Sequence, residues 1–223
     1  MHRVVRKTDG DLARRLLHYT AGLLVLSFGV ALSALSGLGI SPINSLPYVL
    51  SLIFHWRLGG CVLLVYAVFV LLQVALLKGG FHLAQLGQLL VSALFGGFVD
   101  LAKMAVGEGA PGSYCVRLAL LAASIVMTAI GVTLYVGAGL INMPADGFVD
   151  AVVAARGSGS FGQVKQILDC TTVLLSAALS WVCLKSIVGI REGTVLSALL
   201  IGRTMRLLQK YLPSVFVINK NSR

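Results

Sequence analysis

Apolar residues along this chain fall into long blocks separated by short polar clusters. Six blocks stand out, at about 16–37, 58–77, 84–103, 115–137, 163–184 and 193–212. A helix of roughly 20 apolar residues crosses the hydrocarbon core of a bilayer. The first, second, fourth and fifth blocks are clear. The third carries Gln85, Gln88, Asp100 and Lys103 near its ends, and the sixth carries Arg203 and Arg206 in its second half. Two further pieces, about 42–55 and 144–155, are too short to span. Each opens with proline after a glycine-rich stretch and keeps helical apolar spacing. They read as re-entrant or interfacial half-helices.

The same pattern is written twice. Gly29, Val30, Leu32, Gly37, Leu38, Pro42 and Asn44 recur at an offset of 102 as Gly131, Val132, Leu134, Gly139, Leu140, Pro144 and Asp146. A second match, at an offset of 105, pairs Ser92, Ala93, Leu94 and Gly97 with Ser197, Ala198, Leu199 and Gly202. This match supports the sixth block as a span. A three-span unit must set its second copy upside down. The expected fold is an all-α membrane protein with six transmembrane helices as 3+3 inverted repeats, each with a Gly/Pro-interrupted half-helix after its first span. The expected organisation is a basic cytoplasmic N-terminus (1–15), a first three-helix repeat (16–107), a second (113–212) and a cytoplasmic tail (213–223). The small-xxx-small spacing of Ala93/Gly97 and Ala198/Gly202 predicts tight packing of the third and sixth spans.

Composition agrees. Of 223 residues, 57% are apolar and 12% charged, against about 25% charged in a soluble domain. The net charge of +10 comes from basic residues at segment ends and termini, where they orient helices and meet anionic lipid. No aromatic–basic interleaving suggests nucleic acid. With the N-terminus inside, Arg3, Arg6, Lys7, Arg14, Arg15, Lys78, Arg156, Lys165, Arg203, Arg206, Lys210, Lys220 and Arg223 are internal. Only Arg57, Lys103, Arg117, Lys185 and Arg191 are external. This bias predicts both termini in the cytoplasm. The basic N-terminus and first block are read as a retained span, not a cleaved signal. Cys61, Cys115, Cys170 and Cys183 lack metal-ligand spacing and are expected as buried free thiols.

Candidate chemistry gathers at the interruptions. Gly37 and Gly39 let the first span unwind, Ser41 can cap the following helix, and Pro42 suits its first position. Asn44 then sits in the first turn. Gly139, Asn142, Pro144, Asp146 and Gly147 repeat the plan with a carboxylate. Two half-helices dipping to the midplane would turn free backbone N–H groups on one cavity. First-turn Asn44 and Asp146 also stabilise a helix by themselves, so capping and ligand binding both remain open. Asp169 lies several residues into the fifth span, where a carboxylate costs a few kcal/mol unless paired, hydrated or protonated. It reads either as an ion pair with Lys165, one turn earlier, or as a substrate or proton site with Gln166 and Thr172. The matching position in the first half is near Tyr66. Asp150 shares a face with Asp146 and reads as solvated, like Asp100 and Glu192. His55 and Trp56 read as an interfacial anchor. Gln73 faces either the cavity or a neighbouring helix. His2, His18, His55 and His82 are scattered, so no catalytic residue and no metal site is assigned.

Leu38–Gly39–Ile40–Ser41–Pro42, the run from Leu140 to Gly147, and Gly193–Thr194–Val195–Leu196–Ser197–Ala198–Leu199–Leu200–Ile201–Gly202 resemble the YczE/YyaS/YitT group of bacterial integral membrane proteins, closest to the YczE-like branch. The resemblance covers about residues 16–210. In that group the first motif usually ends P-x-D and the second P-x-D-G. The second is intact here as Pro144, Asp146 and Gly147. In the first, Asn44 replaces the acid. Arg203 stands where the group has proline, and Asp169 matches an acidic position of the fifth span. The resemblance implies a protein of the bacterial cytoplasmic membrane and names no substrate. The expected function is a small secondary transporter or carrier for a small polar or cationic solute or ion, bound at the midplane between repeats. The alternative is a non-transporting membrane partner or scaffold, marked by a packed interior without a hydrated cavity. An enzyme is not expected. Expected partners are the lipid bilayer and a small-molecule or ion substrate, with homodimerisation open. Neither nucleic acid nor a cofactor is expected.

Overall fold

Proline has no amide hydrogen and a fixed φ, so it starts a helix well and continues one badly. Pro42 and Pro144 each begin a short helix of 13 residues. The computed structural model describes residues 9–77, 83–107, 109–156 and 161–211. Among these, eight α-helices and no strands occur: α1 (Asp9–Ser36), α2 (Pro42–Phe54), α3 (Leu58–Leu77), α4 (Gly87–Val106), α5 (Tyr114–Ala138), α6 (Pro144–Arg156), α7 (Phe161–Leu184) and α8 (Glu192–Tyr211). The tail 213–223 and residues His2, Arg3, Arg6, Lys7, Lys78 and His82 lie outside the described residues.

Among the described residues, five helices are long and apolar enough to cross a membrane: α1 from Leu12, α3, α4, α5 and α7. The chain is a multi-pass helical membrane protein. α8 has the length, with 20 residues, but Arg203, Arg206 and Lys210 keep its second half polar. α4 starts later than the sequence pattern suggests, because Leu83–Leu86 forms a 3-10 turn ahead of it.

In lipid the hydrophobic effect does not press helices together, so close backbone approach and polar ties carry more of the association. The α1–α5 pair shows both. A methyl group built at Gly131 would lie 2.5 Å from Leu26 N and 2.7 Å from Gly22 O. One built at Gly29 would lie 2.8 Å from Thr128 N and 3.1 Å from Ser124 O. Adding 102 to Gly22, Leu26 and Gly29 gives Ser124, Thr128 and Gly131, so each contact is the exchange of the other. The same exchange governs the helix ends. Arg117 donates from Nε to Ser36 O at 2.7 Å and from Nη2 to Gly37 O at 2.9 Å. Arg15, at the matching offset, donates from Nε to Ala138 O at 2.8 Å and from Nη2 to Gly139 O. Gly37 and Gly139, with φ of +61° and +58°, take the left-handed conformation that ends both helices.

Packing beyond this pair follows suit. α2 lies on α7 and α6 on α3; α4 packs on α1 and α8 on α5. Along α2 and α7, Thr172 meets Pro42 and Ser176 meets Ser45. The two helices therefore run in the same direction, and Pro42 lies level with the middle of α7.

One pairing breaks the exchange. α3 and α4 pack closely: a methyl on Gly59 would lie 1.9 Å from Gly96 O. Asp100 Oδ1 accepts the Gly59 N–H at 2.7 Å. It thus caps α3 from a half-buried position rather than standing in solvent as expected. α7 and α8 form no such closely packed pair. The expected packing of the third and sixth spans through Ala93/Gly97 and Ala198/Gly202 does not occur. A methyl at Gly97 or Gly202 would meet nothing within 4 Å, and Gly96 makes the close contact instead. The cysteines also depart from expectation. Cys61 is buried, but Cys115, Cys170 and Cys183 sit on the outer surface of the bundle, where lipid replaces water as an apolar surrounding.

Candidate functional site

Opening of the second half leaves a cavity of about 630 Å³ where the starts of α2 and α6 meet α5, α7 and α8. Its polar lining includes Ser41, Asn44, Asn142, Asp146, Lys165 and Asp169, with Tyr66, Phe95 and Tyr135 beside them. Tyr66 stacks on Phe95 at a centroid distance of 6.2 Å.

Each half-helix start is held by the opposite half. Gln73 on α3 donates from Nε2 to Pro144 O at 3.1 Å and to Gln88 Oε1 at 3.0 Å. Thr172 Oγ lies 3.3 Å from Pro42 O and also contacts the carbonyls of Leu168 and Asp169. Its one hydroxyl proton is shared among them. Gln73 is therefore a helix-to-helix tie rather than a cavity group. Gly147 is small because a methyl there would lie 2.6 Å from Gln88 Nε2 and 2.9 Å from Gln73 Oε1.

The carboxylates are not equivalent. Asp146 accepts from Lys165 Nζ at 3.0 Å and from Tyr135 Oη at 2.8 Å. Lys165 therefore pairs with Asp146 across two helices, not chiefly with Asp169 one turn along its own. Asp169 Oδ1 stands 4.0 Å from Lys165 Nζ, is buried, and has no hydrogen-bond partner. Asn44 is only 5% exposed. Its Nδ2 donates to Ser41 Oγ at 3.0 Å while Oδ1 has no partner. Asn44 and Asp169 both line the cavity, and each carries a buried Oδ1 without a hydrogen-bond partner. Asp150, exposed at the edge on α6, accepts from Asn142 Nδ2 at 3.2 Å. Partial burial lifts its carboxyl above the usual range; the Asn142 bond opposes the rise and the charge of Asp146 adds to it.

Several expectations need correction. Ser41 makes no side-chain bond to the α2 backbone; its hydroxyl instead receives the Asn44 amide. Free N–H groups at the half-helix starts are fewer than expected. The Asn44 N–H donates to Ser41 O, the Gly147 N–H donates to Met143 O, and proline has none. Gln166 points outward, beside Gln163, Cys170 and Thr171, away from the cavity. Thr172 is buried in the α2–α7 contact and does not line the cavity. Gly37 and Gly39 line a separate, smaller pocket near Gly189 and Arg191. Asn44, Asn142, Asp146, Asp169, Ser41 and Pro42 do come together as expected. Glu192 is exposed beside Arg191, at 3.3 Å.

Tyr135 and the paired arginines went unassigned in the sequence. The arginines carried a usable signal, since Arg15 and Arg117 obey the offset of the glycine and proline motif. Tyr135 has no such counterpart, because Ser33 stands at its matching position. Among the described residues, no three His, Cys, Asp or Glu side chains group as metal ligands.

A model of a family of unknown function, DUF6198, matches residues 13–210, and the chain belongs to that family. No curated protein and no solved structure matches it.

Proposed function

For this member of DUF6198 we propose the role of a small carrier for a polar or cationic solute, built as 3+3 inverted repeats with α8 as a sixth crossing helix. The observation that carries the reading is the cavity at the two half-helix starts, lined by Asp169 and Asn44, each with a buried Oδ1 that has no partner. Buried acceptors without donors are costly, and a bound solute relieves that cost. Among the described residues, the lining holds Asp146, Asp150 and Asp169 against the ammonium of Lys165, which favours cations.

The exchange of contacts between halves supports the inverted repeat. It relates Arg15 to Arg117 and Gly29 to Gly131, and swaps the α2–α7 pairing with α6–α3. A pseudo-two-fold of this kind gives two mirror states of nearly equal packing, the requirement for alternating access. Rocking occurs about the α1–α5 crossing. The distribution of lysine and arginine supports both termini on the cytoplasmic side. The resemblance to the YczE-like branch supports a bacterial cytoplasmic membrane. The scaffold reading predicts a packed interior; an open cavity weighs against it.

The test is a solute screen on protein reconstituted in nanodiscs, read as a shift in unfolding midpoint, followed by flux in proteoliposomes. Asp169→Asn removes the midpoint shift and the flux, and Gln166→Ala, on the outer face, keeps both. A solute response unchanged in Asp169→Asn overturns the site.

A further inference from the structure

The cavity describes its ligand more closely than by charge alone. Building on the carrier reading, we infer that the solute is an amphiphilic primary amine: its ammonium group is received by Asp169 and Asn44, and its apolar chain extends between α7 and α8 toward the bilayer.

The head group follows from the accounting of donors and acceptors. Asp146 already receives Lys165 and Tyr135. Among the described cavity-lining residues, the buried side-chain atoms without a hydrogen-bond partner are acceptors, Asp169 Oδ1 and the Oδ1 of the 95% buried Asn44. Both flank one contact, since Thr172 of α7, near Asp169, meets Pro42 of α2, near Asn44. A primary ammonium carries three N–H donors on one charged centre and can serve both. A quaternary ammonium has no N–H and leaves them unsatisfied. A metal ion such as Ca²⁺ wants six or more oxygen ligands, which these two residues do not supply. A carboxylate head finds Lys165 already engaged with Asp146.

The chain follows from the opening. Gly59 and Gly96 close α3 onto α4, but no such contact closes α7 onto α8. On α8, Ala198, Ile201, Gly202 and Met205 line the cavity, and Val132 and Val136 face them from α5. Nothing lies within 4 Å of a methyl placed at Gly202. The small residues that the sequence offers as a helix-packing motif leave a slot here, lined by apolar side chains and continuous with a charged end.

The experiment is equilibrium binding of radiolabelled n-octylamine to the full chain in nanodiscs, with empty nanodiscs subtracted. The comparison probes are n-octyltrimethylammonium, n-propylamine and octanoate. Saturable n-octylamine binding is expected, with each comparison probe at least tenfold weaker. Asp169→Asn, Asn44→Leu and Gly202→Phe each weaken n-octylamine binding at least tenfold. Gln166→Ala leaves it unchanged. Gly202→Phe sits in open space, so its unfolding midpoint should match that of the parent protein and keep the test informative if Asn44→Leu misfolds. Equal binding of the trimethyl compound overturns the donor argument, and equal binding of n-propylamine or no effect of Gly202→Phe overturns the slot. Flux of n-propylamine or of a zwitterion without n-octylamine binding refutes the amphiphilic amine and leaves the carrier standing. No binding and no flux for any probe refutes both.

Discussion

Replacing Arg15 with methionine should cost about 3 kcal/mol of stability. Arg15 is 5% exposed, and its guanidinium bridges Ala138 O and Gly139 O at the end of α5. These carbonyls lie past the last helical donor, and burial of the site keeps water from replacing the arginine. An unsatisfied buried carbonyl costs about 1–3 kcal/mol, so two give about 2–6 kcal/mol. Release of a buried charge offsets part of this, which leaves about 3 kcal/mol. Arg117 makes the same pair of bonds from a half-buried position. Water reaches it more readily, and its loss should cost about 1–2 kcal/mol. The two sites lie at opposite ends of α1, about 30 Å apart at 1.5 Å per residue, so the double variant should be additive within about 0.5 kcal/mol. Lysine lacks the planar, pre-organised fork of the guanidinium, loses more side-chain freedom per bond, and should restore about half. The assay is unfolding in mixed micelles by titrated SDS, followed by tryptophan fluorescence. A cost below about 1 kcal/mol for Arg15→Met refutes the claim that these ties hold the halves together.

The close and open glycines should respond in opposite directions. Gly59→Ala drives a methyl into Gly96 O and should lower the unfolding midpoint sharply; Gly97→Ala meets nothing and should be neutral or stabilising by up to about 1 kcal/mol from helix propensity. In the same unfolding assay, Asp146→Asn and Lys165→Met should each destabilise, and the double variant should recover about 1–2 kcal/mol relative to their sum, because a lone ionised group in this site costs more than none. Thiol labelling in native nanodiscs should spare Cys61, which is buried, and reach Cys183 first among the outer cysteines if Lys185 marks the membrane edge; rapid Cys61 labelling would contradict the packed first half.

Much of the fold was legible because lipid restricts what a chain can do. Apolar length gave α3 at its observed bounds and the other spans within a few residues, except the N-terminal start of α1. Proline after glycine gave both half-helices. Period and hydropathy do not say which face of a helix meets a neighbour, and the errors lie there. Gly96 and Gly97 are equally plausible contacts by composition, yet the 100° between neighbouring helical residues aims one at Gly59 and the other away. The same rotation carries Gln166 to the outer face while Lys165 and Asp169 stay at the cavity. Site chemistry was legible where it broke the apolar pattern, as at Asp146 and Asp169, and hidden where a residue is ordinary in a span, as at Tyr135.

Divergence between the two copies carries information that either copy alone lacks. The exchanged elements, Gly37 with Gly139, Pro42 with Pro144 and Arg15 with Arg117, do the same structural work twice. Where they differ, chemistry is concentrated. Asn44 answers Asp146, and no carboxylate stands near Tyr66, the region that answers Asp169. Ser33, which donates to Gly39 O, answers Tyr135, which donates to Asp146. Among the described residues, the charged groups that line the cavity come from the second half, and the first half supplies an amide and aromatic rings. A symmetric two-carboxylate site would treat a solute alike from both faces. This arrangement instead keeps Asp146 satisfied by lysine and tyrosine and Asp150 bonded by Asn142, and leaves Asp169 Oδ1 without a donor. On the carrier reading, Asn44 gives the solute a neutral acceptor where its counterpart Asp146 is a carboxylate, with the scaffold that presents the two left alike.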